Sequence, residues 1–346
     1  MKLIPLGTSR FARIDDDLHD RLVSLGPWSF DGRYAVKPRH RMPKLYLHAV
    51  VCELAGIAGA GDIDHEDRDR LNNQRANLSY KTRSGNMHNR GATVNSLTGV
   101  KGVVWDARRE TWLATMRHQG VQKFLGYFSH LEDAINARMR AEIAILGKPK
   151  LRAIFIDLDD TLNCLSMPAL KHVGCDLQEF PTPGSYDIVG AANQFLESPL
   201  TIAEFWDKFD RQFWLGLPKS PEFNLILEAA EAAVGLDNLC ILTTPTLDPE
   251  CAAAKVEWIY CNLPTRLHRQ FFIGPRKSFC AHHQHLLIDD SDGNVNGFRK
   301  RGGHAILVPR PWNSNHRYET GEYLTARFEE MFSCADCSDQ NSRQTV

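Results

Sequence analysis

The chain has no apolar run long enough to span a bilayer, which excludes a helical membrane anchor and a membrane partner. No secretory pattern stands at Met1–Pro5. Its nine cysteines are odd in number and follow no framework spacing, so they read as reduced thiols rather than a disulfide scaffold. The close pair Cys334–Cys337 has no second cysteine or histidine pair beside it to complete a zinc site. Net charge is nearly lacking too, at −1. These absences leave a soluble, cytoplasmic protein, and 346 residues suffice for two domains or more.

The near-zero total hides an asymmetry. Residues 1–150 carry an excess of roughly eight positive charges, and the remainder an excess of roughly nine negative ones. A basic first part suits a polyanion, whereas an acidic second part suits a small ligand reached through a cation.

The second part is organised around Ala153-Ile154-Phe155-Ile156-Asp157-Leu158-Asp159-Asp160-Thr161-Leu162. Four apolar residues read as a strand buried on both faces, and the run stops at carboxylates, where open α/β sheets place their ligands. Two carboxylates this close repel unless a hard cation such as Mg2+ or a shared proton separates them. The bland alternative is a strand followed by an acidic helix cap at Asp160 or Thr161. Leu239–Leu242 is a second buried-strand candidate ending in Thr243-Thr244-Pro245, and Leu286–Ile288 a third ending in Asp289-Asp290. Lys277 lies between them, and Lys255 also follows the threonines.

The order DLDDTL, ILTT, lysine, LLIDD resembles the four motifs of the haloacid-dehalogenase-like phosphohydrolases. The resemblance implies a Rossmann-like domain over residues 153–332 with Asp157 as nucleophile, Asp159 as acid and base, and Thr243 as phosphate clamp. Lys277 would stabilise charge, with Lys255 the competing choice. Mg2+ would be held among Asp157, Asp159, Asp289 and Asp290. Residues 163–238 form an insertion too long for a loop and read as a helical cap. Its aromatics, Phe205-Trp206 and Phe213-Trp214, either meet a nucleobase or form the cap's own core, while the Thr243 and Thr244 hydroxyls can hold a phosphate oxygen. Cap position, the Phe-Trp pair, ILTTP and Leu307–Asn313 resemble the 5'(3')-deoxyribonucleotidase branch, which implies a small phosphate monoester, a nucleoside monophosphate, as substrate.

In the first part, short strands are expected at Lys2–Leu6, Phe11–Ile14 and Tyr34–Val36, with helices after Asp15 and from Tyr46 to Gly56. Asp64-His65 sets a carboxylate beside an imidazole, so one group can hold a cation while the other takes a proton from water. With Asn77 and Asn86 downstream, the pattern resembles the HNH endonucleases and their ββα-metal fold over residues 1–94. The resemblance implies Asp64 and Asn86 as ligands of Mg2+ or another divalent cation, His65 as general base and Asn77 as a structural residue. The role of His48 stays open. The family's Leu-Asp-Asn-Arg is replaced here by Leu71-Asn72-Asn73-Gln74, outside the implied metal ligands.

Residues 95–147 alternate apolar and polar residues in three stretches divided by turns, followed by a helix from Leu131 to about Ile145 with Ala134, Ala137, Ala141 and Ala144 on its packing side. The open face is expected to present Lys101, Trp105, Arg108, Arg109, Arg117 and Lys123 to double-stranded DNA. GVVWD, WLATM and LGYF resemble the APETALA-type DNA-binding domain, which in phage and bacterial genomes often follows an HNH nuclease in homing endonucleases. Residues 148–152 make a linker and 333–346 a polar tail.

The fold expected is thus multidomain, α+β then α/β: an HNH nuclease, a DNA-binding sheet with one helix, and a capped phosphohydrolase in the host cytoplasm of a phage. Two rivals are a nucleotidase with an inactive, DNA-binding first part, and a DNA-end phosphatase.

Overall fold

The computed structural model describes residues 1–81, 92 and 96–332. Asn86 and the Cys334–Cys337 pair lie outside them. The chain divides into two compact units, one drawn from residues 1–91 with 117–122, the other from residues 92–116 with 123–346. Among the described residues no helix is long and apolar enough to cross a membrane.

In the first unit, β1 (Lys2–Pro5) and β2 (Phe11–Ile14) form an antiparallel pair whose alternate residues Ile4, Ala12 and Ile14 point inward. α1 (His19–Leu25) follows and buries Leu22, while Val23, spaced for the same helix, stays exposed. β3 (Ser29–Phe30), β4 (Ala35–Lys37) and β5 (Leu45–Tyr46) make a small antiparallel sheet that runs directly into α2 (Leu47–Leu54). α2 buries Leu47, Val50, Val51 and Cys52 in one core with Ile4, Leu22 and Trp28. β6 (Asp62–His65) and β7 (Leu78–Lys81) form a separate hairpin in which His65 pairs with Leu78.

In the sheet after residue 96, β8 (Val103–Asp106), β9 (Thr111–His118) and β10 (Val121–Phe128) run in the order β10-β9-β8. α3 (Leu131–Leu146) covers one face, with Val103 and Ala114 packed on Ala134 and Ile135. The alanine stripe expected of this helix holds at Ala134 but fails at Ala144, which is exposed, while Glu132, Asn136 and Arg138 are buried. The cause is a second packing side, against the parallel-sheet domain of the same unit. There Arg299 grips the Glu132 carboxylate with both terminal nitrogens and Arg317 donates to Asp133 at 2.7 Å. Asn136 donates to the Tyr323 hydroxyl at 3.3 Å.

That domain is a five-stranded parallel sheet in the order β13 (Phe271–Ile273), β12 (Leu239–Thr243), β11 (Ala153–Ile156), β14 (His285–Asp289), β15 (His304–Leu307). β11 (Ala153–Ile156) is central, with Ile154 and Ile156 in one core and Phe155 in another, as a strand covered on both faces requires. An insertion follows with α4 (Ser166–His172), α5 (Ile188–Asn193), α6 (Ile202–Trp206) and α7 (Arg211–Leu215). α6 starts at a reciprocal cap between Thr201 and Glu204, and Phe205, Phe209 and Trp214 fill the insertion's interior. The chain continues through α8 (Phe223–Val234), β12 (Leu239–Thr243), α9 (Pro249–Asn262), β13 (Phe271–Ile273), β14 (His285–Asp289), α10 (Asp292–Lys300), β15 (His304–Leu307) and α11 (Thr320–Phe332).

Candidate active site

Three neighbouring parallel strands end at one edge of the sheet and carry the polar residues there. Asp157 follows β11, Thr243 ends β12, and Asp289 with Asp290 ends β14. Carboxylate oxygens of Asp157, Asp289 and Asp290 lie within 4.8 Å of one another, all three side chains buried. Lys277 donates to Asp289 Oδ2 at 2.7 Å and closes an ion pair with Asp157.

Burial pushes the Asp157 carboxyl up to about 7, against the pull of Lys277 and with a push from Asp289 and Asp159. Burial also holds Asp290 well above the ordinary carboxylate range, reinforced by Asp160, Asp157 and Asp289. Burial by itself would lower the Lys277 ammonium, but Asp157 and Asp289 together hold it above its usual value. Three converging carboxylates against one ammonium leave an excess of negative charge in a buried, all-oxygen cradle. That donor set fits a hard divalent cation such as Mg2+.

Asp159 stands apart from this trio. Its carboxylate is held by Lys255 and accepts from Asn163 Nδ2 at 3.2 Å, and it is not one of the three carboxylates that converge. Lys255 also donates to Thr243 Oγ1 at 3.2 Å and to the Thr244 carbonyl at 2.7 Å. The two lysines therefore occupy different posts, Lys277 between the nucleophile position and the metal cradle, Lys255 beside Asp159. Thr243 is fully buried against Lys255, and it is Thr244 that lines the cavity. Asp160 takes a left-handed φ of 54° and accepts from Leu165 N at 2.7 Å and Ser166 N at 3.0 Å, which fixes the turn after the nucleophile.

The cavity above these groups measures about 960 Å³. Trp214 lines it as a wall, 2% exposed, with the Lys255 ammonium 5.3 Å from its ring centre. Phe213 does not line it. It packs on Phe209 and His172 beside a different cleft, because on so short a helix adjacent residues face apart. Trp206, another aromatic of the insertion, lines the cavity too, as do Tyr186, which sequence reasoning missed, and Trp312, which it gave no role. Trp312 donates to Asp290 Oδ2 at 2.8 Å, and LVPRPWN carried the only signal for it.

In the first unit, β6 sets Asp64 and His65 side by side, both buried, with Lys81 donating to Asp64 Oδ2 at 2.9 Å. His65 lies 3.4 Å from Asn73 Oδ1, and its ring meets that of His48 edge-on at 5.2 Å. Asn77 accepts from Asp67 N at 2.9 Å and donates to Asp67 Oδ1 and the Asn72 carbonyl, both at 2.8 Å. Asn72 turns to Asp67 at 2.6 Å.

On the small sheet, Arg108, Arg109, Arg117 and Lys123 are exposed and Lys101 is half-buried. Arg109 lies 4.7 Å over the Tyr127 ring. Trp105 does not stand on the open face. It pairs with Trp112 in register with Val103 and Ala114, so pleating turns it to the side that α3 covers, where it remains 43% exposed at the margin.

No protein-family model and no curated protein matches this chain in sequence. Solved structures similar to it include a haloacid-dehalogenase-family hydrolase from Deinococcus radiodurans with bound phosphate and sodium, at 15% identity and TM-score 0.33 over 52% of this chain and 89% of that one. Another is a predicted phosphoglycolate phosphatase from Haemophilus somnus, at 19% identity and TM-score 0.32 over 50% and 91%. A third is a haloacid-dehalogenase-family enzyme from Bacteroides thetaiotaomicron in complex with magnesium and inorganic phosphate, at 12% identity and TM-score 0.25 over 49% and 100%. At these scores the likeness carries no weight for the chemistry, which follows from the residues of this chain.

Proposed function

We propose that residues 153–332 form a divalent-cation-dependent phosphohydrolase acting on a small phosphate monoester, a nucleoside monophosphate. The observation that carries this is the convergence of Asp157, Asp289 and Asp290 with Lys277 at the ends of adjacent parallel strands. Asp157 attacks phosphorus and the bond to the leaving oxygen breaks, giving an aspartyl phosphate and an alkoxide that Asp159 protonates. Asp159 then takes a proton from the water that attacks the aspartyl phosphate, which releases phosphate and restores Asp157. Lys277 and Thr244 offset the charge of the phosphoryl oxygens, and Lys255 orients Asp159. A bound Mg2+ would supply further charge neutralisation at the same oxygens. Phosphate release from a panel of nucleoside monophosphates with Mg2+, for the wild type and Asp157→Asn, tests this. Turnover lost in the variant supports it, and turnover retained there would sink it.

A second activity is proposed for the first unit: metal-dependent cleavage of double-stranded DNA, with Asp64 and Asn86 as ligands and His65 as base. The observation favouring it is the buried Asp64-His65 pair on a hairpin whose loop is pinned by Asn77. Arg108, Arg109, Arg117, Lys101 and Lys123 would meet DNA phosphates. Plasmid nicking that is Mg2+-dependent and lost in His65→Ala is expected. No nicking by either protein would leave this part as a DNA-binding remnant. A strong preference for a 3'-phosphorylated duplex over nucleotides would recast the phosphohydrolase as a DNA-end phosphatase.

A further inference from the structure

We propose that Asp207, on the lid, restricts the site to phosphate monoesters whose alcohol part is uncharged and offers hydrogen-bond donors, and excludes substrates with a second anionic group. This rests on the phosphohydrolase reading of the same site. A cavity of about 960 Å³ has room for far more than a phosphate. Its charges are unevenly placed. Lys255 and Lys277 are the cations among its lining residues, and both are committed at the catalytic end, to Asp159 and to Asp157 with Asp289.

The other charged residues lining the cavity, apart from the aspartates of the catalytic group, are Asp207, Asp248 and Asp292. Asp248 is occupied as the cap of α9, accepting from Glu250 N at 3.0 Å, and Asp292 accepts from Ser314 N at 3.0 Å. Among the described residues the Asp207 carboxylate takes part in no hydrogen bond or ion pair, and it lines the cavity, exposed, next to Trp206. Ile202 and Leu247, both largely exposed, line the same cleft and offer apolar surface to a flat ring. An ionised carboxylate only accepts, so it matches amino and imino N–H groups of a base lying along Trp206. A second phosphate or a carboxylate beside Asp207 would meet its uncompensated charge in a cavity whose two lysines are committed elsewhere.

The test uses the full chain with Mg2+ and compares kcat/KM for p-nitrophenyl phosphate, deoxyguanosine 5'-monophosphate, deoxyguanosine 3',5'-bisphosphate and 2-phosphoglycolate, in the wild type and Asp207→Lys. The wild type is expected to prefer the monophosphate over the bisphosphate by about tenfold or more, and Asp207→Lys to erase or invert that ratio, chiefly through KM. Ratios taken within one variant cancel any loss of folded protein. An unchanged ratio in Asp207→Lys, or a wild type that favours the bisphosphate or phosphoglycolate, overturns the inference while the phosphohydrolase reading stands. A wild type inert even toward p-nitrophenyl phosphate takes both down.

Discussion

Lys277 and Asp289 meet at 2.7 Å, both side chains buried, and the same ammonium closes on Asp157. One cation thus ties the nucleophile position to the metal cradle. Lys277→Ala is expected to lower kcat by about a hundred- to a thousandfold, the range for loss of one group that stabilises developing charge. Lys255→Ala should act differently, loosening Asp159 and so slowing protonation of a poor leaving group while sparing p-nitrophenyl phosphate, whose leaving group needs no proton. Steady-state phosphate release from a nucleoside monophosphate and from p-nitrophenyl phosphate for both variants separates the two roles.

Trp312, on the cavity wall, reaches the cradle through its hydrogen bond to Asp290. Groups that orient a ligand in this way govern metal affinity, typically by about ten- to a hundredfold. Trp312→Phe keeps the ring and removes the donor, so the Mg2+ concentration for half-maximal activity should rise about tenfold with kcat at saturating Mg2+ little changed. A fall in kcat alone would assign Trp312 to the substrate.

Arg299 and Glu132 form a buried bidentate pair, and Arg299 also donates to the Ala305 carbonyl at 2.8 Å. Removing one partner strands the other charge away from water. Glu132→Ala is expected to cost about 3–5 kcal/mol, measured by denaturant unfolding. The double replacement Glu132→Met with Arg299→Met should recover much of the loss.

In the first unit, burial lowers His48 to about 4, helped by His65. The unfolded chain then takes up its proton first as pH falls, so folding loses stability between about 6.5 and 4 and no more below that. Chemical denaturation at pH 7.5 and 4.5 should show this drop, smaller in His48→Phe. An equal drop in both proteins would place the effect elsewhere.

Much of the catalytic edge was legible in the sequence because each strand there is a short apolar run that stops at its functional residue, as at Ile156-Asp157 and Ile288-Asp289. The outer strands Phe271–Ile273 and His304–Leu307 lacked such a signal, being short and flanked by loops. Order along the chain could not divide the work of Lys255 and Lys277, since both follow Thr243 and only the fold shows which carboxylate each meets. Faces were harder still. Residue type and place in the chain put Trp105 on the open face and Phe213 in the cavity, but pleating and one short helical turn decide where each ring points. Alanine spacing foretold one buried side of α3, whereas Glu132 and Asn136, polar and apparently solvent-facing, belong to a second.

Glycine, lysine and proline at Gly147–Lys150 mark what looks like a seam for exchanging parts between genes. The buried grip of Arg299 on Glu132 makes that seam deceptive. A recombinant that inherited residues 153–332 from one parent and the preceding helix from another would need both to carry the matching charge, so these two segments should travel through inheritance as one piece.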